Sequence, residues 1–525
     1  MERADLGFRS IPRMALVNAE RFGDELAVLD GDVHLTFREV ADGLLETGRA
    51  LIARGVQPGD RVALWAPNSA AWITTALGIL ATGARLVPLN TRFKGSEAAY
   101  ILGKSQARTL VCANGFLGFD YLAMLRAADA SVPALRDTVL LAGEADGVAS
   151  WPAFVAGGDD VDDATVRARV EAIGPDDPSD VLFTSGTTGH PKGVMLRHGA
   201  SLRCYEQYNR SFDLGRGDRI LIVTPFFHCF GYKAGWMAAL MCGAVSVPVA
   251  TFDPGSALQL IEDVGITHTA GAPTMFWSLL DHPSRTERDL SSLRVATASA
   301  AYVPAELIRR MSEELGVRAI TGYGLTEAHA LVSLSRPEDA PELIGEWSGQ
   351  VIDGTELRVV DDEGKDVTLG AQGELLVRGF QLMDGYYDDP DATRAVIDPD
   401  GWLHTGDVAY MNAERYVKIC DRKKDMFIIG GFNVAPAEVE GLLLEWDRIA
   451  ACAVIGAPDP VWGEVGVAFV VAAGPGLSGD DVIAWAKEHM ANYKVPRRVV
   501  LVDALPLNAT GKILKADLRA MLAAP

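Results

Sequence analysis

Ten consecutive residues gather the groups that could hold a phosphate: Thr184-Ser185-Gly186-Thr187-Thr188-Gly189-His190-Pro191-Lys192-Gly193. Four hydroxyls, three glycines and a lysine offer O–H donors, close backbone N–H groups and a cation to one anion. Glycine lets the chain approach that anion without a Cβ in the way. The spacing is not that of a Walker A loop, because Pro191 stands where the second glycine should be and Gly193 follows Lys192 where Ser or Thr should hold magnesium. On composition alone a solvated hairpin turn is the alternative. The apolar run Val181-Leu182-Phe183 just before the loop reads as a buried strand and favours a polyphosphate loop.

Other reactive types are weak signals one by one. Thr326-Glu327 behind Gly322-Tyr323-Gly324 could be a helix start with a solvated acid. Asp407 ends a Thr-Gly-Asp turn, and Gly430-Gly431-Phe432 reads as a plain β-turn. Arg422 and Lys424 lie in the charged run Asp421-Arg422-Lys423-Lys424-Asp425, and Lys512 follows Thr510-Gly511, where a lone lysine is ordinarily solvated. His228, inside Phe226-Phe227-His228-Cys229-Phe230-Gly231, is by default a packed or turn histidine.

The elements that must position these groups alternate between strand and helix. A helix entered at Thr36 and closed at Gly55 leads to Gly59-Asp60-Arg61, a strand over Val62–Ala66, a helix from about Ser69 to Thr82 and a strand over Arg85–Leu89. The same grammar returns as Gly217-Asp218-Arg219, a strand over Ile220–Thr224, a helix near Gly231–Met241 and a strand over Val245–Ala250. The Gly-Asp-Arg triplets are 158 residues apart, and Gly83-Ala84 and Gly243-Ala244 are 160 apart. Two doubly wound α/β subdomains in tandem account for this, with ligands at the carboxyl ends of the strands. From Gly354 the pattern turns to short strands, Glu356–Val360 and Glu374–Arg378, a smaller β-rich piece. Beyond the charged run, strands Phe427–Ile429, Ala451–Ile455 and Val465–Ala472 mix with helices near Ala437–Leu444 and Asp480–Met490. This places a boundary between residues 1–421 and an α+β unit over 422–525.

The chain has 525 residues, 49% of them hydrophobic, with 48 Lys plus Arg against 70 Asp plus Glu and a net charge of −22. That excludes a disordered or fibrous protein, and it sets a nucleic-acid partner far behind. An anionic ligand must therefore be held by local donors against the field of the whole chain. Six scattered cysteines without a CxxC pair signal neither zinc nor disulfides. With no signal-peptide layout and no membrane span, a cytoplasmic protein is expected.

Five of these segments in order resemble the AMP-forming acyl-CoA synthetases, members of the adenylate-forming superfamily that includes peptide-synthetase adenylation domains and firefly luciferase: the glycine-rich loop, Tyr323-Gly324-Leu325-Thr326-Glu327, Trp402-Leu403-His404-Thr405-Gly406-Asp407, Asp421–Asp425 and Asn508-Ala509-Thr510-Gly511-Lys512. The resemblance implies the fold just read, with a large N-terminal domain and a small mobile C-terminal one. It implies ATP, Mg²⁺, coenzyme A and a small-molecule carboxylic acid, apolar and medium- to long-chain or polycyclic, as partners; nothing in the sequence decides between monomer and homodimer. It assigns Thr184, Ser185, Gly186, Thr187, Thr188, Gly189 and Lys192 to the β- and γ-phosphates, Thr326 to the α-phosphate and Glu327 to Mg²⁺. Ser299, Ala300, Tyr323 and Gly324 would border the adenine, and Asp407 and Arg422 the ribose. Lys424 would be the hinge, Gly431 would flank the pantetheine arm, His228 would line the acid pocket, and Lys512 would be the catalytic lysine of the first step.

Two features bear on the substrate. No Asp stands near His228 to pair with an amino acid's ammonium, which points to an acid without an α-amine. Phe226–Lys233, Thr251–Pro254 and Gly431–Val434 also look like ligases for the propionate side chain of a degraded steroid, although medium- and long-chain fatty-acid enzymes share much of this. Ala234, Gly235, Ala238 and Ala239 suggest a roomy apolar pocket, with close helix packing as the alternative. The rival functions are transfer of the acyl-AMP to another acceptor, a luciferase-like oxygenase, and a silent nucleotide-binding protein. In the loop Ala298-Ser299-Ala300-Ala301-Tyr302, Ser299 and Tyr302 replace the family's usual Gly and Pro, so a reshaped adenine pocket is expected.

Overall fold

The structure, a computed structural model, describes residues 3–128, 131–184, 191–301, 303–429, 432–459, 462–508 and 511–523. Ser185, Gly186, Thr187, Thr188, Gly189, Tyr302 and Gly431 therefore lie outside the described residues.

Two large, mainly parallel sheets carry the repeat. In the eight-stranded sheet, Arg61–Trp65 lies between Arg85–Pro88 and Thr109–Ala113, all parallel. In the nine-stranded sheet, Arg219–Ile222 lies between Val245–Pro248 and His268–Gly271, again parallel. The Gly-Asp-Arg triplets do the same work twice. The Asp60 carbonyl accepts from Arg85 N at 2.7 Å and the Asp218 carbonyl from Val245 N at 2.8 Å; Arg61 and Arg219 then accept from Arg108 N and Thr267 N, both at 2.9 Å. Each sheet thus has a strand from which the chain leaves first to one side and then to the other, and ligands collect at the carboxyl ends of strands around such a switch point.

The helix entered at Thr36 forms over Phe37–Ala53, with a reciprocal Thr36–Glu39 capping box. The helix expected near Gly231–Met241 differs: Phe230–Met237 is a π-helix that runs into a short α-helix, Ala238–Cys242. Gly235 breaks the helical torsions at φ −85°, ψ −108°. A Cβ there would stand 2.8 Å from Ile222 Cγ2, so this glycine packs the segment onto the sheet. Ala234, Ala238 and Ala239 are buried in the same core. For Gly235, close packing is the reading that holds.

Strands Thr355–Val360, Gly373–Gly379, Leu403–Met411 and Val417–Arg422 form a four-stranded antiparallel sheet, the expected β-rich piece. After it, Phe427–Ile429, Phe432–Val434, Ile449–Asp459, Gly463–Ala472 and Arg498–Leu501 make a five-stranded sheet with helices Pro436–Leu443, Gly479–His489 and Lys515–Ala523. Phe427, Val439, Leu443, Val454, Val470 and Val482 give this part its own core. All six cysteines are unpaired, and among the described residues no helix is long and apolar enough to cross a membrane.

Candidate active site

The carboxyl ends of the nine-stranded sheet converge on one cleft. Arg219–Ile222 leads to His228, Val295–Ala298 to Ser299, and Arg318–Tyr323 ends on Tyr323 itself. Asn68, beyond the end of Arg61–Trp65 in the other sheet, joins the two edges. Its Nδ2 donates to the Thr224 carbonyl at 2.9 Å and its Oδ1 accepts from Phe226 N at 2.7 Å. Nothing in the sequence singles Asn68 out.

Tyr323, Asp407 and Arg422 form the polar centre. The buried Asp407 carboxylate accepts from the Tyr323 hydroxyl on Oδ2 and pairs with Arg422 Nε at 2.6 Å on Oδ1. Burial pushes the Asp407 carboxyl up from its ordinary value, opposed by Arg422 and then by the Tyr323 hydrogen bond. Burial, then Asp407, holds the Tyr323 phenol well above its own ordinary value, so it stays a donor. Each carboxylate oxygen keeps a further lone-pair direction, which two adjacent hydroxyls could use. Asp407 reaches this place because Thr405 Oγ1 accepts from Asp407 N at 3.1 Å and donates to the Leu375 carbonyl at 2.7 Å.

The turn after Tyr323 explains its glycine: a Cβ on Gly324 would lie 2.2 Å from the Ala330 carbonyl carbon. Thr326 and Glu327 follow in a 3₁₀ turn, both half-buried. Glu327 Oε1 accepts from the Tyr386 hydroxyl at 2.8 Å, and the Glu327 carbonyl accepts from Met383 N at 2.8 Å. Lys192 Nζ stands 5.0 Å from the centroid of the same Tyr386 ring. Tyr386 therefore connects the acid to the lysine of the glycine-rich loop. The sequence reading missed it, although Gly385-Tyr386-Tyr387 is a visible aromatic pair after a glycine.

The glycine-rich loop joins strands Pro178–Thr184 and Lys192–Arg197, which pair antiparallel with Thr184 opposite Lys192. It thus connects the two strands of a hairpin on a buried sheet, and residues 185–190 themselves lie outside the described residues. In the adenine loop, the Ser299 hydroxyl donates to the Gly322 carbonyl at 2.7 Å, and Ala300 adopts φ +69°. The added hydroxyl is absorbed by the backbone beside Tyr323.

Lys512 arrives from the C-terminal part. Its backbone N donates to Asn508 Oδ1 and its carbonyl accepts from Asn508 N, both at 2.8 Å, closing a tight turn. That turn touches the other side of the cleft where the Thr274 hydroxyl donates to the Gly511 carbonyl at 3.5 Å. The Lys512 side chain is solvent-accessible, yet the protein around it, and next Arg422, pull its ammonium below the ordinary lysine value. Burial, with a smaller contribution from Lys512, pushes His228 down to about 4, so it is neutral near pH 7. The exposed Lys424 follows Arg422 in the segment linking the antiparallel sheet to Phe427–Ile429.

The cleft thus gathers His228, Ser299, Tyr323, Glu327, Asp407, Arg422 and Lys512, with Lys192 joined through Tyr386: local cations in an acidic chain, beside a carboxylate able to receive hydroxyls. The AMP-binding enzyme profile matches residues 16–387, and the AMP-binding enzyme C-terminal domain profile matches 438–512. A 3-[(3aS,4S,7aS)-7a-methyl-1,5-dioxo-octahydro-1H-inden-4-yl]propanoyl:CoA ligase of Rhodococcus jostii is 47% identical over 95% of this chain and 96% of its own. The ligase of the same name from Mycobacterium tuberculosis is 46% identical over 97% of this chain and 98% of its own. Among solved structures, the anthranilate CoA ligase AuaEII with anthranoyl-AMP superposes with a TM-score of 0.89 at 28% identity, covering 100% of this chain and 99% of that one. The chain belongs to the AMP-binding enzyme family, as an adenylate-forming acyl-CoA ligase that joins a carboxylic acid to coenzyme A at the expense of ATP.

Proposed function

We propose that the acid is a bulky, largely apolar polycycle bearing a propionate side chain. The observation that carries this is end-to-end identity of 47% and 46% with two ligases named for such a propionate. The absence of an Asp near His228 agrees with an acid lacking an α-amine. The test is pyrophosphate release and acyl-CoA formation with a polycyclic propionate, linear acids, ferulate, acetate and amino acids. At ~0.8 kcal/mol per buried methylene, the polycyclic acid should exceed acetate by more than about a hundredfold in kcat/KM. Preference for acetate, a linear acid or an amino acid would overturn the assignment.

In this reading the loop from Thr184 to Lys192 grips the β- and γ-phosphates, and Asp407, with Arg422, receives the ribose hydroxyls. Tyr323, Gly324, Ser299 and Ala300 border the adenine. Thr326 meets the α-phosphate, and Lys512 offsets charge as the carboxylate oxygen attacks α-phosphorus and pyrophosphate leaves. In the second step the coenzyme A thiol, passing Gly431, attacks the acyl carbonyl and AMP departs. Both steps depend on positioning and electrostatic stabilisation. The Glu327 carboxylate and Thr326 hydroxyl are hard oxygen donors of the kind Mg²⁺ takes beside phosphates, and the ion would neutralise phosphate charge there. His228, neutral and half-buried, borders the acid without adding charge. Residues 422–525 would form the mobile domain, turning at Lys424 to replace Lys512 by the Gly431 segment between the two steps.

A further inference from the structure

One charged pair in the interior has no part in the reaction just described. Lys233 Nζ and Asp180 Oδ2 form an ion pair in which both side chains are 0% exposed. Asp180 Oδ2 also accepts from Ser179 Oγ at 2.6 Å, and the Tyr232 phenol interacts with the same carboxylate. Taking two charges out of water carries an effective penalty of several kcal/mol per ion, and apolar pairs of similar volume often serve stability as well or better. Stability alone is a poor reason for this pair.

Its place suggests another. Asp180 belongs to Pro178–Thr184, four residues before the phosphate loop leaves the eight-stranded sheet, and it lies opposite Leu86 and Leu196 in the neighbouring strands. Lys233 lies in the π-helix five residues after His228, on the chain leaving the nine-stranded sheet. π-helical turns are rare and are frequent at functional sites, and here the turn is tied to another sheet through Lys233. The ammonium stands 4.2 Å from the Tyr232 ring centroid, and Tyr232 stacks on Trp236 at 4.9 Å, so the pin also sets the aromatic wall of the segment.

We infer that Lys233–Asp180 is a positioning pair. It ties the strand feeding the phosphate loop to the turn bearing His228, and so sets the distance between the acid carboxylate and the α-phosphate. This rests on the acid lying beside His228. Neither residue touches a reacting atom; both act through the segments they join. Misplacing two reactants by about 1 Å can cost on the order of 100-fold in rate.

The test is the apolar exchange Asp180→Leu with Lys233→Met, and separately Asp180→Glu, which keeps the charge and lengthens the strut by one methylene. The full-length enzyme is assayed with whichever acid it turns over best, so an error in the acid's class leaves the test intact. Each variant should melt within about 3 °C of the parent. The kcat for pyrophosphate release should fall ~10- to 100-fold with the KM for ATP within about threefold, and thioester formation from supplied acyl-AMP should persist within about threefold. Parent-like kcat in the folded double variant would overturn the inference, as would equal loss of both half-reactions. Should the double variant fail to fold, parent-like kcat in Asp180→Glu overturns it by itself.

Discussion

If Lys512 serves the first step as proposed, Lys512→Ala should separate the two half-reactions. The side chain is exposed, and Lys512 is held through its own backbone, its N donating to the Asn508 side-chain Oδ1 and its carbonyl accepting from Asn508 N, both at 2.8 Å. Truncation should therefore leave stability within about 0.5 kcal/mol, a shift of less than about one degree in a chain of this size. The charge is another matter, because the ammonium stands with Arg422 in a partly desolvated cleft where fixed charges act more strongly than in water. Removing one positioned donor from such a transition state costs about 3–4 kcal/mol, or roughly a hundred- to a thousandfold in rate. Pyrophosphate release from acid and ATP should fall by that factor. Thioester formation from synthetic acyl-AMP and coenzyme A should change less than about threefold, since the acyl–phosphate bond is already made. Unchanged pyrophosphate release in the variant would refute the assignment. Equal loss of both steps would show that Lys512 supports the cleft rather than the first transition state.

Lys424→Pro should restrict the linking segment to one torsion and let only one half-reaction proceed; equal loss of both in a folded variant counts against the hinge. Ala300→Gly should raise the melting temperature, since φ +69° costs an L-residue about 1 kcal/mol that glycine avoids; a fall of similar size would mean that loop entropy dominates. The pH dependence follows from four histidines. Burial first of all pushes His198, His268 and His329 from 6.5 down to about 3, and His228 to about 4. Their folded values lie below the unfolded one, so this stability is complete above pH 6.5 and drains as pH falls toward 3–4, by up to ~1.4 kcal/mol per unit for each group. Melting temperatures that stay level from pH 7 to 5 would contradict it.

The repeat was legible because each triplet sets a glycine at positive φ, +84° at Gly59 and +95° at Gly217, before an aspartate whose carboxylate accepts from the backbone N–H three residues earlier, Gln57 N and Gly215 N, and few other residues serve there. Of the C-terminal strands, Phe427–Ile429 forms with the expected bounds, the apolar runs 451–455 and 465–472 lie within the longer strands Ile449–Asp459 and Gly463–Ala472, and the short strands Phe432–Val434 and Arg498–Leu501 were not legible. What escaped depended on contacts between distant segments. Tyr323 and Asp407 are 84 residues apart in sequence, and no spacing rule announces that one donates to the other. Tyr386 and Asn68 are single polar residues whose partners come from other elements. The π-turn was missed because its apolar content matches an ordinary buried helix, and only the close approach of Gly235 to Ile222 separates the two.

The placement of the cleft follows from the charge of the chain. With a net charge of −22, the protein repels the anions its reaction must bring together. In the proposed site local cations would offset this, and they come from separate elements: Lys192 from the hairpin of the eight-stranded sheet, Arg422 from the edge of the antiparallel sheet, and Lys512 from the C-terminal turn. No single one of these elements supplies all three cations. Asn68 ties the first sheet to the second, Asp407 pairs with Arg422, and the Gly511 carbonyl accepts from Thr274 beside Lys512. A site assembled this way is complete only when all the parts are docked, which ties its full electrostatic strength to the orientation seen here.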